Sequence, residues 1–116
     1  AATVLKMVEK IGELDSSASS QNDTSRESSL IRMVWTKEEH ARKCKEELFT
    51  LWTDYFKSEH LSLFPNLHET FWKAAKLCSK NKQEVNLELA QELVKAVSEI
   101  AAMFKKAEEN KAKALK

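Results

Sequence analysis

The sequence predicts an all-α fold, an antiparallel four-helix bundle with a long serine-rich loop after the first helix. The chain has one glycine, Gly12, and one proline, Pro65, among 116 residues. Because glycine allows the backbone of tight turns and proline interrupts strands, a chain with one of each has few corners. Apolar residues also recur at spacings of three and four, and capping boxes precede several of the apolar runs. Long helices satisfy all three observations, whereas a β-sandwich or barrel does not.

Composition indicates a single domain, residues 1–116, with 42% apolar and 32% charged residues. Nineteen basic and eighteen acidic side chains leave a net charge of +1, so we expect neither nucleic acid nor an anionic membrane as the main partner. No stretch approaches the about 18 consecutive apolar residues of a membrane span. We therefore expect an intracellular protein without a membrane span.

The first helix is predicted over residues 2–14, where a stripe of apolar side chains recurs at helical spacing. The stripe comprises Val4, Met7, Val8, Ile11 and Leu14. Gly12 lies within it, and either weakens the helix by about 1 kcal/mol or marks a close helix contact. Residues 15–28 are rich in serine and almost free of apolar side chains. We therefore predict a flexible loop over 15–24.

The second helix is predicted over residues 25–57, starting at the capping box Thr24-x-x-Glu27. Its apolar heptad positions are Leu30, Val34, Ala41, Cys44, Leu48, Leu51 and Tyr55, and Lys37 is the one polar interruption. A second box, Thr36-x-x-Glu39, follows Trp35. The pattern favours one long helix, kinked or interrupted near Trp35, over two separate helices at 25–35 and 37–57.

Pro65 marks the sharpest corner, because it disfavours helix at Phe64 and suits the first turn of a new helix. Asn66-x-x-Glu69 predicts a cap for a third helix over 65–79. Its apolar face comprises Leu67, Phe71, Ala74, Ala75 and Cys78.

The fourth helix is predicted over 82–113, with Asn81-x-x-Glu84 as its cap. Its main stripe comprises Val85, Leu89, Leu93, Val97, Ile100 and Phe104. Bulky apolar side chains become scarce after Phe104, so residues 105–116 are expected to project into solvent.

The two cysteines, Cys44 and Cys78, both fall on predicted core stripes. Two buried free thiols in a reducing compartment are the favoured interpretation. The alternative is one disulfide that joins two helices of a secreted four-helix signalling protein.

Metal and catalytic sites are not predicted by the spacing of the chemically active residues. His40, Cys44 and Cys78, with His60 or His68, contain too few close ligand pairs for a structural zinc site. The chain has no glycine-rich loop, and its paired glutamates are adjacent in sequence, so they diverge on a helix. We therefore expect no metal, no cofactor and no enzyme activity.

Aromatic residues are concentrated between positions 35 and 72, and several lie off the predicted core stripes. Tryptophan and tyrosine are enriched in binding hot spots. The resulting hypothesis is a surface that binds a partner helix or short peptide. Its residues are Phe56, Leu61, Leu63, Phe64 and Trp72.

The function predicted from these observations is a non-catalytic interaction, scaffold or adaptor module of a larger intracellular protein, with self-association as a further possibility. The secreted signalling protein is one alternative function, and a phosphate or nucleic-acid contact through a basic patch is another. The patch comprises Lys73, Lys76, Lys80 and Lys82.

Overall fold

A computed structural model describes residues 1–16 and 23–114. Those residues form helices, turns and short connections with no strand among them, which confirms the all-α prediction. The helices are α1 Ala2–Ser16, α2 Asp23–Thr50, α3 His60–Leu63, α4 Leu67–Gln83 and α5 Leu87–Ala114. A π-helical turn, Leu51–Tyr55, continues α2. The predicted loop at 15–24 falls largely on residues 17–22, outside the described residues.

Helix α2 runs without a break through Trp35 and Thr36, so the predicted interruption is wrong. Trp35 is 64% exposed and lies on the solvent side, while Lys37 and Ala41 are buried. Burial of that face keeps the helix intact, although Thr36 and Glu39 carry a capping-box signal. Regular α-helix ends at Thr50, earlier than predicted.

The segment between α2 and α4 is more ordered than a simple connector. The amide of Phe56 donates to the Leu51 carbonyl at 3.2 Å, and the chain then becomes extended at Phe56. Helix α3 follows, and the Phe64 amide closes it by donating to the His60 carbonyl at 2.8 Å. These turns direct the apolar side chains of the segment toward the core.

The predicted cap at Asn81 is wrong, because Asn81 is a buried residue of α4. Helix α4 extends to Gln83, and α5 begins only at Leu87. The side chain of Asn86 accepts a hydrogen bond from the Leu89 amide at 3.2 Å, which satisfies one free donor at the start of α5. At the start of α4, Asn66 makes no side-chain cap, and its carbonyl accepts from the Thr70 amide at 2.9 Å.

The long helices pack around a shared core, with α2 against α1 and α4, α4 against α5, and α5 against α1. The buried core side chains are Val4, Val8, Ala41, Cys44, Leu48, Phe56, Phe64, Leu67, Phe71, Ala74, Cys78, Ala90, Leu93, Ile100 and Ala107. Helix α5 therefore contacts the core as far as Ala107, and residues 109–113 are exposed. Over 1–16 and 23–114, no helix is long and apolar enough to cross a membrane.

Gly12 lies inside α1 with an ordinary helical backbone. A methyl group in place of its hydrogen would meet no atom within 4 Å. The glycine therefore does not mark a close helix contact.

Candidate functional site

Two cysteines meet in the core where α2 packs against α4. Cys44 and Cys78 are both free and lie in the same buried core cluster, close enough for each thiol to shift the pKa of the other. The residues that follow them are also paired, because Lys45 Nζ donates to Ser79 Oγ at 2.9 Å. Two successive contacts thus fix the position of α2 along α4.

The two thiols are not equivalent. Interaction with the Cys78 thiol stabilises the Cys44 thiolate and lowers the pKa of Cys44, against the opposing effect of burial. The same interaction raises the pKa of Cys78, and burial raises it further. Cys44 therefore has the character of a nucleophilic thiolate and Cys78 that of a proton donor.

The two cysteine sulfurs lie together, but no histidine nitrogen completes a metal site with them among the described residues. All cysteines and histidines of the sequence lie within the described ranges, yet no three His, Cys, Asp or Glu side chains there converge on a possible metal position. His68 Nδ1 accepts from Trp52 Nε1 at 2.9 Å, and His60 Nδ1 accepts from the Lys57 amide at 2.9 Å. His60 and His68 are thus engaged in local contacts.

Two buried polar side chains, Lys37 and Asn81, make hydrogen bonds around the turn between α4 and α5. Lys37 is 1% exposed, and its ammonium donates to the carbonyl of Glu84 at 2.9 Å and that of Lys82 at 3.5 Å. Burial lowers the pKa of Lys37. The side-chain Nδ2 of Asn81 donates to the carbonyls of Leu77 at 2.8 Å and Leu89 at 3.1 Å. Its Oδ1 is buried without a partner among the described residues.

An aromatic cluster fills the end of the core near the π-helical turn. The rings of Trp52 and Phe71 are stacked with centroids 5.6 Å apart, and Phe56 meets Phe71 edge-on at 5.5 Å. Tyr55 continues the cluster, and its hydroxyl donates to Glu108 Oε1 at 2.5 Å. That hydrogen bond to a carboxylate raises the pKa of Tyr55 to about 12. The contact ties α5 to the end of α2.

The predicted partner-binding residues do not form one surface. Phe56 and Phe64 are 7% and 9% exposed and belong to the core, and Leu61 and Leu63 are partly buried against it. Trp72 alone is largely exposed, at 55%. The π-helical turn and α3 turn this segment toward the core. The apolar spacing predicted a helix that continues to residue 57, so it could not indicate this change of direction. A partner surface around Trp72 stays a prediction.

The predicted basic patch includes acidic neighbours. Lys73 pairs with Glu69 at 3.0 Å, and the Lys76 ammonium lies 5.4 Å from the centre of the Trp72 ring. Glu92 of α5 lines the same shallow cleft as Lys73, Lys76 and Lys80. The sequence predicted that these lysines extend from the third helix into the turn, whereas packing brings a glutamate from α5 beside them.

Comparison with known proteins gives a consistent result over most of the chain. The family model described as nickel-containing superoxide dismutase matches residues 1–108. The curated "Superoxide dismutase [Ni]" of Streptomyces seoulensis is 32% identical over 74 residues, which make up 64% of this chain. The match spans 56% of that relative's length, so the chain covers little more than half of it.

Solved structures show the same helical architecture. A crystal structure of Ni-containing superoxide dismutase, with nickel ligation corresponding to the oxidised state, has a TM-score of 0.67 and 25% identity. A second, with ligation corresponding to the state after partial X-ray-induced reduction, has a TM-score of 0.68 and 25% identity. Each covers 93% of this chain and 90% of the other. The native nickel superoxide dismutase, at 22% identity and a TM-score of 0.67, supports the fold.

These matches overturn the functional prediction made from the sequence. A non-catalytic scaffold or adaptor is wrong, because the matching family and relatives are superoxide dismutases, which are oxidoreductases. The signalling and nucleic-acid alternatives are replaced for the same reason. The sequence patterns gave no sign of this family, because they contain no recognisable catalytic constellation. The chain belongs to the nickel-containing superoxide dismutase family.

Proposed function

We propose that the protein is a nickel-dependent superoxide dismutase, and that residues 1–116 form its helical body. In this reaction two superoxide anions and two protons give dioxygen and hydrogen peroxide. The observation that carries the proposal is the family match over residues 1–108. The curated relative, named as a nickel superoxide dismutase, supports the same activity.

We further propose that the four long helices form an antiparallel bundle. The cyclic order of their contacts, α1 with α2, α2 with α4, α4 with α5 and α5 with α1, supports this arrangement. The short α3 and the π-helical turn then occupy the corner between α2 and α4. In this arrangement the serine-rich sequence connects α1 to α2.

The donor set of the described residues does not fit nickel. Nickel in proteins is held by nitrogen and sulfur donors in a defined geometry. The cysteine pair offers two sulfurs, but within 1–16 and 23–114 no third His, Cys, Asp or Glu joins them. We therefore assign no catalytic step to these residues and place the nickel ligands outside them.

The test measures nickel and activity on the same sample. The protein, produced in full from its gene in nickel-supplied cells, should contain nickel and accelerate superoxide decay in stopped-flow absorbance measurements. Removal of nickel by a chelator should return the decay to its spontaneous rate. Protein from nickel-supplied cells that contains no nickel, or that contains nickel and leaves superoxide decay at its spontaneous rate, would overturn the proposed activity.

A matched variant tests the placement of the ligands. In Cys44→Ser/Cys78→Ser, nickel content and superoxide decay should equal those of the unaltered protein. Loss of nickel from a variant that stays helical by circular dichroism would show that the pair binds the metal. Self-association and an intracellular location stay predictions from the sequence.

A further inference from the structure

The cysteine pair has a geometry that the proposed dismutase function does not use. Cys44 on α2 and Cys78 on α4 lie in the same buried cluster where the two helices pack together, and each thiol shifts the pKa of the other. The alanines Ala41, Ala74 and Ala75 are buried on the same two helices. Small side chains at a helix contact let the backbones approach closely, as a disulfide requires.

The neighbouring contact holds this register. Lys45 Nζ donates to Ser79 Oγ at 2.9 Å, one residue beyond each cysteine. A slip of one helix along the other would break both contacts. This register keeps the two cysteines opposite each other, as an S–S bond of about 2 Å requires.

The two sulfurs differ in access and acidity. Cys44 is 9% exposed, at the edge of the core, whereas Cys78 is 0% exposed. The pKa of Cys44 is lowered and that of Cys78 is raised, so the thiolate forms more readily on Cys44. Since the thiolate is the form that reacts with peroxides, Cys44 is the sulfur that reacts first.

We propose that Cys44 and Cys78 are a modification site, which hydrogen peroxide converts into an intrachain disulfide between α2 and α4 and which thiol reductants restore. The proposal does not depend on the dismutase activity, although hydrogen peroxide is also the product of that reaction.

The chemistry balances in two steps. The Cys44 thiolate attacks one peroxide oxygen, so that an S–O bond forms, the O–O bond breaks and hydroxide leaves. Cys44 is thereby oxidised by two electrons to a sulfenic acid, and the peroxide is reduced. The Cys78 sulfur then attacks the Cys44 sulfur, the S–S bond forms, and the S–O bond breaks. The departing oxygen takes the Cys78 proton and leaves as water.

The test uses reduced, folded protein and hydrogen peroxide at a small excess. After quenching, unfolding and alkylation, mass spectrometry should show the loss of two hydrogens and of both alkylatable thiols. A proteolytic fragment should join the peptides that contain Cys44 and Cys78. Dithiothreitol should restore both thiols and the original mass.

Single variants separate the roles of the two sulfurs. In Cys78→Ser, Cys44 should stop at a sulfenic acid that dimedone traps. In Cys44→Ser, the remaining Cys78 thiol should react with peroxide at about one tenth of the rate of Cys44 in Cys78→Ser, or more slowly still, because it is buried and poorly ionised. Circular dichroism confirms that each variant remains helical before it is oxidised.

Three outcomes would overturn the proposal. The first is that both thiols survive in the folded protein at a peroxide dose that oxidises them in the unfolded chain. The second is oxygen addition to Cys44 without a joined peptide. The third is disulfides between chains on a non-reducing gel. None of these readouts uses nickel or superoxide. A failure of the disulfide proposal is therefore distinguishable from a failure of the proposed dismutase activity.

Discussion

The ammonium nitrogen of Lys37 lies 2.9 Å from the carbonyl oxygen of Glu84, although 47 residues separate them in sequence. Glu84 is the C-cap residue directly after α4. The last carbonyls of a helix have no partner within it. Lys37 therefore caps α4 from the middle of α2. Its charge also complements the negative end of the α4 dipole. This contact explains why a lysine interrupts the apolar heptad of α2.

Replacement of Lys37 by alanine should destabilise the fold by about 2–3 kcal/mol, because it removes a charged hydrogen bond and the packing of the buried stem. The measurement is the free energy of unfolding in urea. Lys43→Ala, at an exposed position of the same helix, is the matched control and should change stability by no more than about 0.5 kcal/mol. Equal effects of the two substitutions would contradict the capping role.

Tyr55 is the only tyrosine in the sequence, so its titration can be followed directly by tyrosinate absorbance. With its hydroxyl bound to Glu108, the pKa should be about 12. Glu108→Gln should bring it toward the ordinary value of about 10, because the acceptor loses its charge. Glu109→Gln, one residue further along α5, should leave the pKa unchanged.

The same contact makes a signed prediction for stability. Since folding raises the Tyr55 pKa, the stabilising contribution is complete below about pH 10 and decreases as pH rises through about 12. The free energy of unfolding of the Glu108→Gln protein should therefore decrease less between about pH 10 and 12 than that of the unaltered protein. An identical alkaline unfolding profile for both proteins would contradict it.

The adjacent aromatics Phe71 and Trp72 should respond in opposite ways to truncation. Phe71 is fully buried and stacked on Trp52, so Phe71→Ala should cost about 3–5 kcal/mol through the cavity it leaves. Trp72 is mostly exposed, so Trp72→Ala should cost about 1 kcal/mol or less. Urea unfolding of both variants tests this. Comparable losses would mean that Trp72 is packed in the folded protein.

Gly12 should be a site of easy stabilisation. It lies inside α1 at an exposed position where a methyl group meets open space. Gly12→Ala should raise the midpoint of thermal unfolding, with a gain of about 0.5–1 kcal/mol from helix propensity and reduced freedom of the unfolded chain. Lys10→Ala, also exposed on α1, serves as the control and should have little effect, because lysine and alanine differ little in propensity. A lower midpoint for Gly12→Ala would contradict the open environment.

The apolar stripes predicted the buried faces well in places. On α4, Leu67, Phe71, Ala74, Ala75 and Cys78 are all buried, as their spacing indicated. The helix boundaries were less predictable. Thr36 and Asn81 both carry capping signals, but one continues a helix and the other is buried within one. A cap is worth about 1 kcal/mol, which is less than burial of a helix face contributes.

The candidate site was harder to predict than the fold. The spacing placed Cys44 and Cys78 on core stripes but could not show that they touch. It also gave no sign of a dismutase, since no metal-binding constellation forms among residues 1–16 and 23–114. The family assignment came from similarity spread over residues 1–108, not from a local motif.

By itself, the sequence determined that the chain is helical and which helix faces are apolar. Those properties depend on residue type and spacing within a few helical turns, so a short stretch of sequence is enough to predict them. The tertiary structure decided that Lys37 caps α4, that Tyr55 binds Glu108 and that Cys44 meets Cys78. Each of these contacts joins residues 34 or more positions apart, and depends on how far one packed helix is shifted along another. That shift is set by the fit of side chains across the core, which is not encoded in either helix alone.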